Sequence, residues 1–271
     1  MMTSMKKIGF IGGGNMAEAL IRGLLAGNFP VTQLVFSEPS EVRQEHVISR
    51  FGIALAPSNP DLVRQCDIVV LAIKPQIAAE VLEEIADSWD DSKLMVSILA
   101  GVTCATIEKH FPGHPRVVRV MPNTPALVGE GASTICRGRQ ASSEDLQTVR
   151  ELLESVGIVQ LIDERQMDAA TGLSGSGPAY IYTVIEALAD GGVREGLRRD
   201  VAHALAVQTV VGAALMVRET REHPAILRDQ VCSPGGTAIT GVSSLERNGL
   251  RTTLMEAVSA AAARSRELGG S

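Results

Sequence analysis

The chain has 271 residues, of which 45% are apolar and 21% charged. This is enough material for a packed core, and the length lies between one large domain and two modest ones. A formal net charge of −6 provides no basic surface for a phosphate backbone, so the composition argues against nucleic-acid partners.

The four cysteines, Cys66, Cys104, Cys136 and Cys232, include no near neighbours in sequence. The spacing therefore matches neither a CxxC redox pair nor a zinc knuckle, and it predicts no metal site. We expect these residues to be small, buried, reduced side chains.

Neither a leader nor a membrane span is expected. The first residues, Met1–Lys7, lack the apolar region of a signal peptide. The apolar stretch Leu205–Val217 is interrupted by Gln208 and Thr209 and is shorter than a bilayer span. The sequence thus predicts a cytoplasmic protein without a membrane partner.

The first part of the chain alternates short β-branched segments with helical ones, which is typical of a parallel sheet covered by helices on both faces. The predicted strands are Lys7–Ile11, Leu34–Phe36, Asp67–Ile73, Leu94–Leu99, Arg116–Met121, Ser133–Cys136 and Ile158–Leu161. Helical spacing predicts helices over Met16–Leu25 and Glu144–Val156. After Asp163 only helical patterns follow, with Pro178, Pro224 and Pro234 each suited to a first helical turn.

We therefore expect an α/β fold with two domains. A Rossmann-type dinucleotide-binding domain over residues 1–162 precedes an all-helical domain over residues 163–271. The helical half carries many small residues that let helices approach closely, namely Gly191, Gly192, Ala202, Ala206, Gly212, Ala213 and Ala214. These residues indicate either internal packing or a helical dimer interface.

The segment Gly12–Ala17 fits the pattern G-x-G-x-x-A between the first strand and the first helix. The first glycine permits a tight turn, the second lets a pyrophosphate approach the backbone, and the small third residue allows the helix to pack on the strand. The amides and dipole at the helix start favour a diphosphate. This segment predicts dinucleotide binding.

The second strand ends at Ser37-Glu38, where the residue that reads the adenosine ribose should lie. Glu38 could hold a ribose 2′-hydroxyl and would repel a 2′-phosphate. Alternatively, Ser37, Ser40 and Arg43 could form a phosphate pocket in which Arg43 supplies the charge. Lys74 follows the third predicted strand and either faces the same crevice or is a solvated loop residue.

Two glycine-rich segments of the helical half, Thr171–Pro178 and Ser233–Thr237, could hold a carboxylate or phosphate. Unpaired amides at a helix start point outward, and glycine lets a ligand lie against the backbone. The alternative interpretation is ordinary helix capping by Ser176 and Ser233.

The lysines discriminate between reaction types. All of them, Lys6, Lys7, Lys74, Lys93 and Lys109, lie in the first half of the chain. The β-hydroxyacid dehydrogenases share the general layout but use a lysine of the helical domain to move the alcohol proton. A protonated imine is already an electrophile, so orientation of the two reactants, which contributes about 7–11 kcal/mol, can dominate. The distribution of lysines favours reduction of a C=N bond.

The segment Leu227–Glu246 closely resembles the signature of the pyrroline-5-carboxylate reductases. Four further stretches look like the same family and occur in order along the chain: Gly9–Met16, Ala72–Pro75, Met121–Ala126 and Ser174–Tyr180. The resemblance implies reduction of the C=N bond of 1-pyrroline-5-carboxylate to L-proline, the last step of proline biosynthesis, with NADPH as cofactor and NADH as the alternative. It also implies a homodimer formed through the helical domain, and some members assemble five dimers into a decamer.

The resemblance also transfers site residues to this chain. Together with Arg43, the expected cofactor residues are Gly12, Gly13, Gly14, Asn15, Met16, Ser37, Asn59, Ile73, Lys74 and Ala100. The expected catalytic residues are Thr171, Ser176 and Thr237, and the expected substrate-binding residues are Glu164, Gly235, Gly236 and Thr237. Two positions depart from the family: Ala238 stands where many members have a threonine proposed as proton donor, and Glu38 where others have a neutral residue.

The competing interpretations are a reductase of the β-hydroxyacid dehydrogenase type and a non-catalytic dinucleotide-sensing regulator. The absence of lysine from the helical half argues against the first. Two glycine-rich helix starts away from the dinucleotide turn argue against the second.

Overall fold

The computed structural model describes residues 6–269, which form two compact units. One unit contains the described residues up to Ser176 together with those from Ala260 onward, and the other is Gly177–Ser259. Residues 1–5, part of the segment that argued against a signal peptide, lie outside the described residues.

An eight-stranded sheet forms the first unit. Its strands are β1 (Ile8–Ile11), β2 (Leu34–Ser37), β3 (Ala54–Leu55), β4 (Ile68–Leu71), β5 (Leu94–Ser97), β6 (Arg116–Met121), β7 (Gly131–Arg137) and β8 (Gly157–Leu161). The order across the sheet is β3-β2-β1-β4-β5-β6-β7-β8, and all neighbours are parallel except β6 and β7. Every strand predicted from the sequence is present. The two-residue β3 was missed because so short a segment carries no period.

Helices cover both faces of the sheet. They are α1 (Asn15–Ala26), α2 (Glu41–Phe51), α3 (Asn59–Gln65), α4 (Ala78–Ala86), α5 (Cys104–Glu108), α6 (Ser143–Glu154) and α7 (Met167–Ala170). Alternate residues of a strand face opposite sides, so Phe10 packs in one core cluster and Ile11 in the other. Gly9 is required here, because a Cβ at this position would lie 2.4 Å from Leu62 of α3.

The remaining helices are α8 (Gly177–Arg194), α9 (Arg199–Thr220), α10 (Pro224–Val231), α11 (Thr237–Arg247) and α12 (Leu250–Gly269). The buried core of the helical unit consists of Ala189, Ala202 and Ala206. Several large apolar side chains are exposed on α8 and α9, including Tyr182, Leu188, Leu205, Val211 and Met216. The single chain therefore leaves much apolar surface of this unit uncovered.

Helix α9 is longer than the sequence pattern indicated. The interrupted stretch Leu205–Val217 was judged too short for a bilayer, but the helix runs over Arg199–Thr220, which is long and apolar enough to cross a membrane by length and composition. The expectation about its length was wrong because Gln208 and Thr209 do not interrupt the helix: Thr209 Oγ1 donates to the carbonyl of Leu205 over 2.7 Å. Length and composition do not distinguish a membrane span from a helix covered by protein.

The division into compact units falls later than the expected boundary after residue 162. Residues 163–176 pack with the sheet, and the end of α12 does the same. Ser265 Oγ of α12 donates to Asp168 Oδ1 of α7 over 2.6 Å. Long-range contacts of this kind have no local sequence signal.

Candidate cofactor and substrate sites

The glycine turn lies between β1 and α1, as the sequence predicts. Gly12 has a φ of +98°, and a Cβ there would lie 2.5 Å from the carbonyl oxygen of Ala72, so the position requires glycine. Its amide donates to the carbonyl of Ser37 over 2.8 Å, which joins the turn to the end of β2. Gly14 is the N-cap of α1, provides no side-chain cap, and has open space where a Cβ would stand.

A cleft of about 570 Å³ opens at the carboxyl ends of β1, β2 and β4. This is where open parallel sheets bind ligands, and the volume falls in the range of small-molecule sites. Of the expected cofactor residues, those that line it are Gly12, Gly14, Ser37, Asn59, Ile73 and Lys74. The structure brings these residues together from segments that are distant in sequence.

Hydrogen bonds hold the polar residues of this cleft in place. Ser37 Oγ donates to Asn59 Oδ1, and Asn59 Nδ2 donates to Glu84 Oε2 over 2.7 Å. Lys74, at the end of the segment that follows β4, is exposed and contributes a positive charge. Asn59 also begins α3, so its position is coupled to the packing of that helix.

Glu38 also lines the cleft and contacts the glycine turn. Its Oε2 accepts from the amide of Gly13 over 2.8 Å, and its Oε1 accepts from the amide of Ser40 over 3.0 Å. A carboxylate thus lies at the end of β2, where dinucleotide enzymes read the adenosine ribose.

Arg43 is not among the residues that line the cleft. Its Nε donates to the carbonyl oxygen of Gly13 over 3.0 Å, and its Nη2 lies 3.3 Å from Glu18 Oε2. The phosphate pocket of Ser37, Ser40 and Arg43 stays a prediction. In this structure Arg43, which belongs to α2, supports the glycine turn and contacts Glu18 of α1.

Sequence reasoning missed Glu18, a buried carboxylate on α1. It forms ion pairs with Arg22, Arg43 and Arg50 at 2.9–3.5 Å, and its Oε2 lies 3.2 Å from His46 Nε2. Burial raises the pKa of Glu18, but the hydrogen bond from Arg43 and the nearby charges of Arg50 and His46 outweigh it and lower the pKa below its ordinary value. The signal in the sequence was an acidic residue on the buried face of an otherwise apolar helix.

The other expected cofactor residues do not line the cleft. Asn15 and Met16 begin α1, and Met16 packs against the core. Ala100 precedes Gly101, where a Cβ would lie 3.2 Å from the amide nitrogen of Gly269. The loop that carries Ala100 therefore packs against the end of α12.

The segment Thr171–Gly175 forms a π-helical turn. Such turns are uncommon and frequently occur at functional sites. Thr171 is buried and its Oγ1 donates to the carbonyl of Met167 over 2.8 Å, while the amide of Ser176 donates to the carbonyl of Thr171 over 2.8 Å. Asn123 Nδ2 donates to the carbonyl of Ser174 over 3.0 Å, a supporting role that the sequence did not reveal.

In the helical unit, α11 begins at Thr237 with Gly236 as its N-cap. Gly235 has a φ of +65°, and a Cβ at Gly236 would lie 2.3 Å from Ser233 Oγ. Pro234 lies in the turn before the helix and not in its first turn, and Ser233 is not the cap. The expectation that Pro234 lies in the first helical turn was wrong, because the glycine pair delays the start of the helix.

Glu164 contacts residues of the sheet unit. Its Oε1 accepts from the amide of Cys104 over 2.7 Å and from Arg119 Nη1 over 3.2 Å. Arg119 is buried, so the pair neutralises a charge inside this unit. Thr171, Ser176 and Glu164 belong to the sheet unit, whereas Gly235, Gly236 and Thr237 belong to the helical unit.

The Rossmann-type sheet, the glycine turn and the cleft define a dinucleotide-binding oxidoreductase with a helical C-terminal region. A family model described as "NADP oxidoreductase coenzyme F420-dependent" matches residues 7–101, and one described as "Pyrroline-5-carboxylate reductase dimerisation" matches residues 164–268. Pyrroline-5-carboxylate reductase of Glycine max is 47% identical over 96% of this chain and 95% of its own. That of Methanosarcina acetivorans is 46% identical over 97% of this chain and 98% of its own. The chain therefore belongs to the pyrroline-5-carboxylate reductase family.

Solved structures agree with this assignment. The Plasmodium falciparum pyrroline carboxylate reductase with NADP bound has a TM-score of 0.88 and 38% identity, covering 98% of this chain and 99% of its own. The Coxiella burnetii pyrroline-5-carboxylate reductase has a TM-score of 0.91 and 35% identity, covering 97% of this chain and 98% of its own. The expected fold, a Rossmann-type domain followed by a helical region, is confirmed.

Proposed function

We propose that this chain reduces the C=N bond of 1-pyrroline-5-carboxylate to L-proline with a reduced nicotinamide dinucleotide. The proposal rests on a cleft of about 570 Å³ at the glycine turn. The chain that carries this cleft is similar to members of the family over nearly its full length. The helical half contains no lysine, which suits an imine better than a ketone substrate.

The residues of the cleft fit a dinucleotide. Gly12 can have no side chain, and Gly14 leaves the first amides of α1 without a side-chain acceptor. These amides and the helix dipole bind a diphosphate. The cofactor supplies the hydride; the chain orients both reactants and holds the imine next to it.

We propose the turn Gly235–Thr237 as the binding site for the substrate carboxylate, with Thr171 and Ser176 as hydroxyl groups near the reacting centre. In support, the N-cap Gly236 offers no side chain, so the amides at the start of α11 remain available to an anion. Thr171 Oγ1 donates its hydrogen to the carbonyl of Met167, so its lone pairs can accept a hydrogen bond from the substrate. Glu164 is proposed to act through its negative charge, because a carboxylate stabilises a cationic iminium.

We propose NADPH as the cofactor and NADH as the alternative. The match to a family of NADP oxidoreductases and the relative with bound NADP support NADPH. Lys74 is a cation in the cleft that can pair with a phosphate. Glu38 supports NADH as the alternative, because a carboxylate at the end of β2 can accept hydrogen bonds from a ribose diol.

We further propose a cytoplasmic homodimer formed through the helical unit, with five dimers in a decamer as the higher assembly, and no nucleic-acid or membrane partner. The match of residues 164–268 to a dimerisation domain supports the dimer. So do the exposed apolar side chains of α8 and α9, which a second copy would cover.

Purified protein tests the function directly. We expect oxidation of NADPH or NADH that depends on added pyrroline-5-carboxylate, with proline as the product identified by mass spectrometry. A 3-hydroxy acid with the oxidised cofactor is the control. Turnover of the hydroxy acid, with none of the imine, would reject the assignment.

A further inference from the structure

Two cysteines and a glutamate meet in the sheet unit. Cys104 begins α5, Cys136 lies on β7, and Glu164 follows β8. Their ligand atoms, two Sγ and one carboxylate oxygen, all lie within 4.8 Å of one another. Sequence spacing did not predict this cluster, because its members are brought together only by the packing of α5 on the sheet.

The two thiols of the cluster are buried, whereas its carboxylate is partly exposed to solvent. Cys104 and Cys136 are 2% and 3% exposed, whereas the Glu164 side chain is 32% exposed. A cavity of about 390 Å³ is lined by Cys104 and Glu164, and one of about 570 Å³ is lined by Cys136 and Glu164. Each cysteine therefore borders a cavity that Glu164 also lines.

We propose that Cys104, Cys136 and Glu164 form a binding site for a thiophilic divalent cation of the Zn²⁺ class. Two thiolates and a carboxylate are ligands that Zn²⁺ prefers, and an open fourth position would take water. With metal–ligand distances of about 2.0–2.3 Å, tetrahedral ligands lie roughly 3.5–3.8 Å apart. The observed cluster reaches this spacing with side-chain shifts of about 1 Å.

The charges at this place match those of an occupied metal site. Glu164 is paired with the buried Arg119 at 3.2 Å. Cysteines bind a divalent cation as thiolates, so binding releases their protons. The charges of one divalent cation, one arginine, two thiolates and one carboxylate sum to zero, so the occupied site would carry no net charge.

Glu164 Oε1 accepts from the amide of Cys104 and from Arg119. The second oxygen can bind the ion while the first keeps Arg119 and the start of α5 in place. Contacts of this kind orient metal-binding carboxylates in proteins. Glu164 also belongs to the proposed substrate site, but the test of metal binding does not depend on turnover.

Co²⁺ is the probe, because its thiolate complexes have charge-transfer absorption that oxygen ligands do not produce. Reduced, metal-free full-length protein should bind one Co²⁺ per chain with this absorption and release two protons. Zn²⁺ should displace the Co²⁺ and protect two thiols from alkylation. Absence of the thiolate absorption in the wild type would overturn the proposal, as would the loss of two free thiols in air through a disulfide before metal is added.

Variants locate the site. Cys104→Ala and Cys136→Ala should each weaken Co²⁺ binding by on the order of 100-fold and reduce the thiolate absorption. Cys66→Ala, which removes another buried thiol of the same unit, is the matched control and should bind as the wild type does. Equal binding in all three variants would overturn the proposal.

Should a cysteine variant fail to fold, the carboxylate provides the second test. Glu164→Gln should weaken Co²⁺ binding by roughly ten-fold while the thiolate absorption at saturation is retained. Glu108→Gln changes a carboxylate that lines the same cavity as Cys104 and is the control. Identical affinities for these two variants would exclude Glu164 as a ligand and reject the three-residue site.

Discussion

Glu38 Oε2 accepts a hydrogen bond from the backbone amide of Gly13 over 2.8 Å, so the end of β2 is joined to the glycine turn. The carboxylate lies in the cleft that we propose for the dinucleotide. A ribose diol can share this carboxylate as an acceptor, whereas a 2′-phosphate would face its charge. Glu38 is therefore the residue at which cofactor preference is most open to change.

Replacing Glu38 should shift the cofactor preference. We expect Glu38→Ser to raise the ratio of kcat/KM for NADPH to that for NADH by about ten-fold, because one like-charge repulsion of roughly 1–2 kcal/mol is removed. Steady-state kinetics with both cofactors measure the ratio. Glu41→Gln, an exposed carboxylate of α2, is the control. An unchanged ratio in Glu38→Ser would place Glu38 outside the cofactor site.

Arg43 should affect both cofactors alike. Its guanidinium donates to the carbonyl of Gly13 and contacts Glu18, so it holds the turn and does not lie in the cleft. We expect Arg43→Ala to raise the Michaelis constants for NADPH and NADH by similar factors, on the order of ten-fold for one lost charged hydrogen bond. A rise confined to NADPH would show instead that Arg43 reaches the 2′-phosphate in the complex.

The ion pairs of Glu18 predict a dependence of stability on pH. Because the folded-state pKa of Glu18 is lowered, its charge stabilises the fold above the unfolded-state value of 4.5, and this contribution is lost as the pH falls through the folded-state pKa. At pH 7, Glu18→Gln should reduce the free energy of unfolding by about 1–3 kcal/mol.

Urea denaturation at pH 7 and at a lower pH, below the unfolded-state value of 4.5, measures this effect. The difference between wild type and Glu18→Gln should shrink as the pH falls towards the folded-state pKa of Glu18. Glu45→Gln, an exposed carboxylate of α2, should change stability little at either pH. A difference that is the same at both values would mean that packing of the side chain, and not its charge, stabilises α1.

The turn before α11 should control substrate affinity. A Cβ at Gly236 would lie 2.3 Å from Ser233 Oγ, so Gly236→Val displaces the turn whose amides we propose to bind the carboxylate. Loss of one charged hydrogen bond costs about 1.5–3 kcal/mol, which predicts a KM for the imino acid that is roughly 10- to 100-fold higher. Cofactor affinity should be nearly unchanged. Unaltered substrate affinity would place the carboxylate elsewhere, with Ser174–Gly177 the next candidate.

Thr237→Ala separates binding from proton transfer. If the hydroxyl only binds the carboxylate, the loss falls mainly on KM; if it donates the proton, the loss falls mainly on kcat. We expect the change in KM, because the amides of one turn do not fill every lone pair of a carboxylate. A fall in kcat at constant KM would identify Thr237 as the proton donor, the role that Ala238 cannot fill in this chain.

Local patterns predicted the strands and the glycine turn, because each depends on residues that are neighbours in sequence. The short apolar segment before Gly12 predicted β1, and the positive φ of Gly12 agrees with the tight turn expected there. Strand β3 was not predictable, because two residues are too few to show a periodic pattern of apolar side chains. The delayed start of α11 was not predictable either, because it depends on the backbone conformation of Gly235 and Gly236.

The sequence by itself thus determined the order of elements, the family and the segments in which the proposed cofactor and substrate residues lie. Only the tertiary structure decided which side chains meet: Glu38 with Gly13, Arg43 with Glu18, and Cys104 with Cys136 and Glu164. Such contacts join residues that are 25 or more positions apart, as with Gly13 and Glu38. They depend on strand register and helix packing, which are properties of the whole sheet and leave no mark in a local segment.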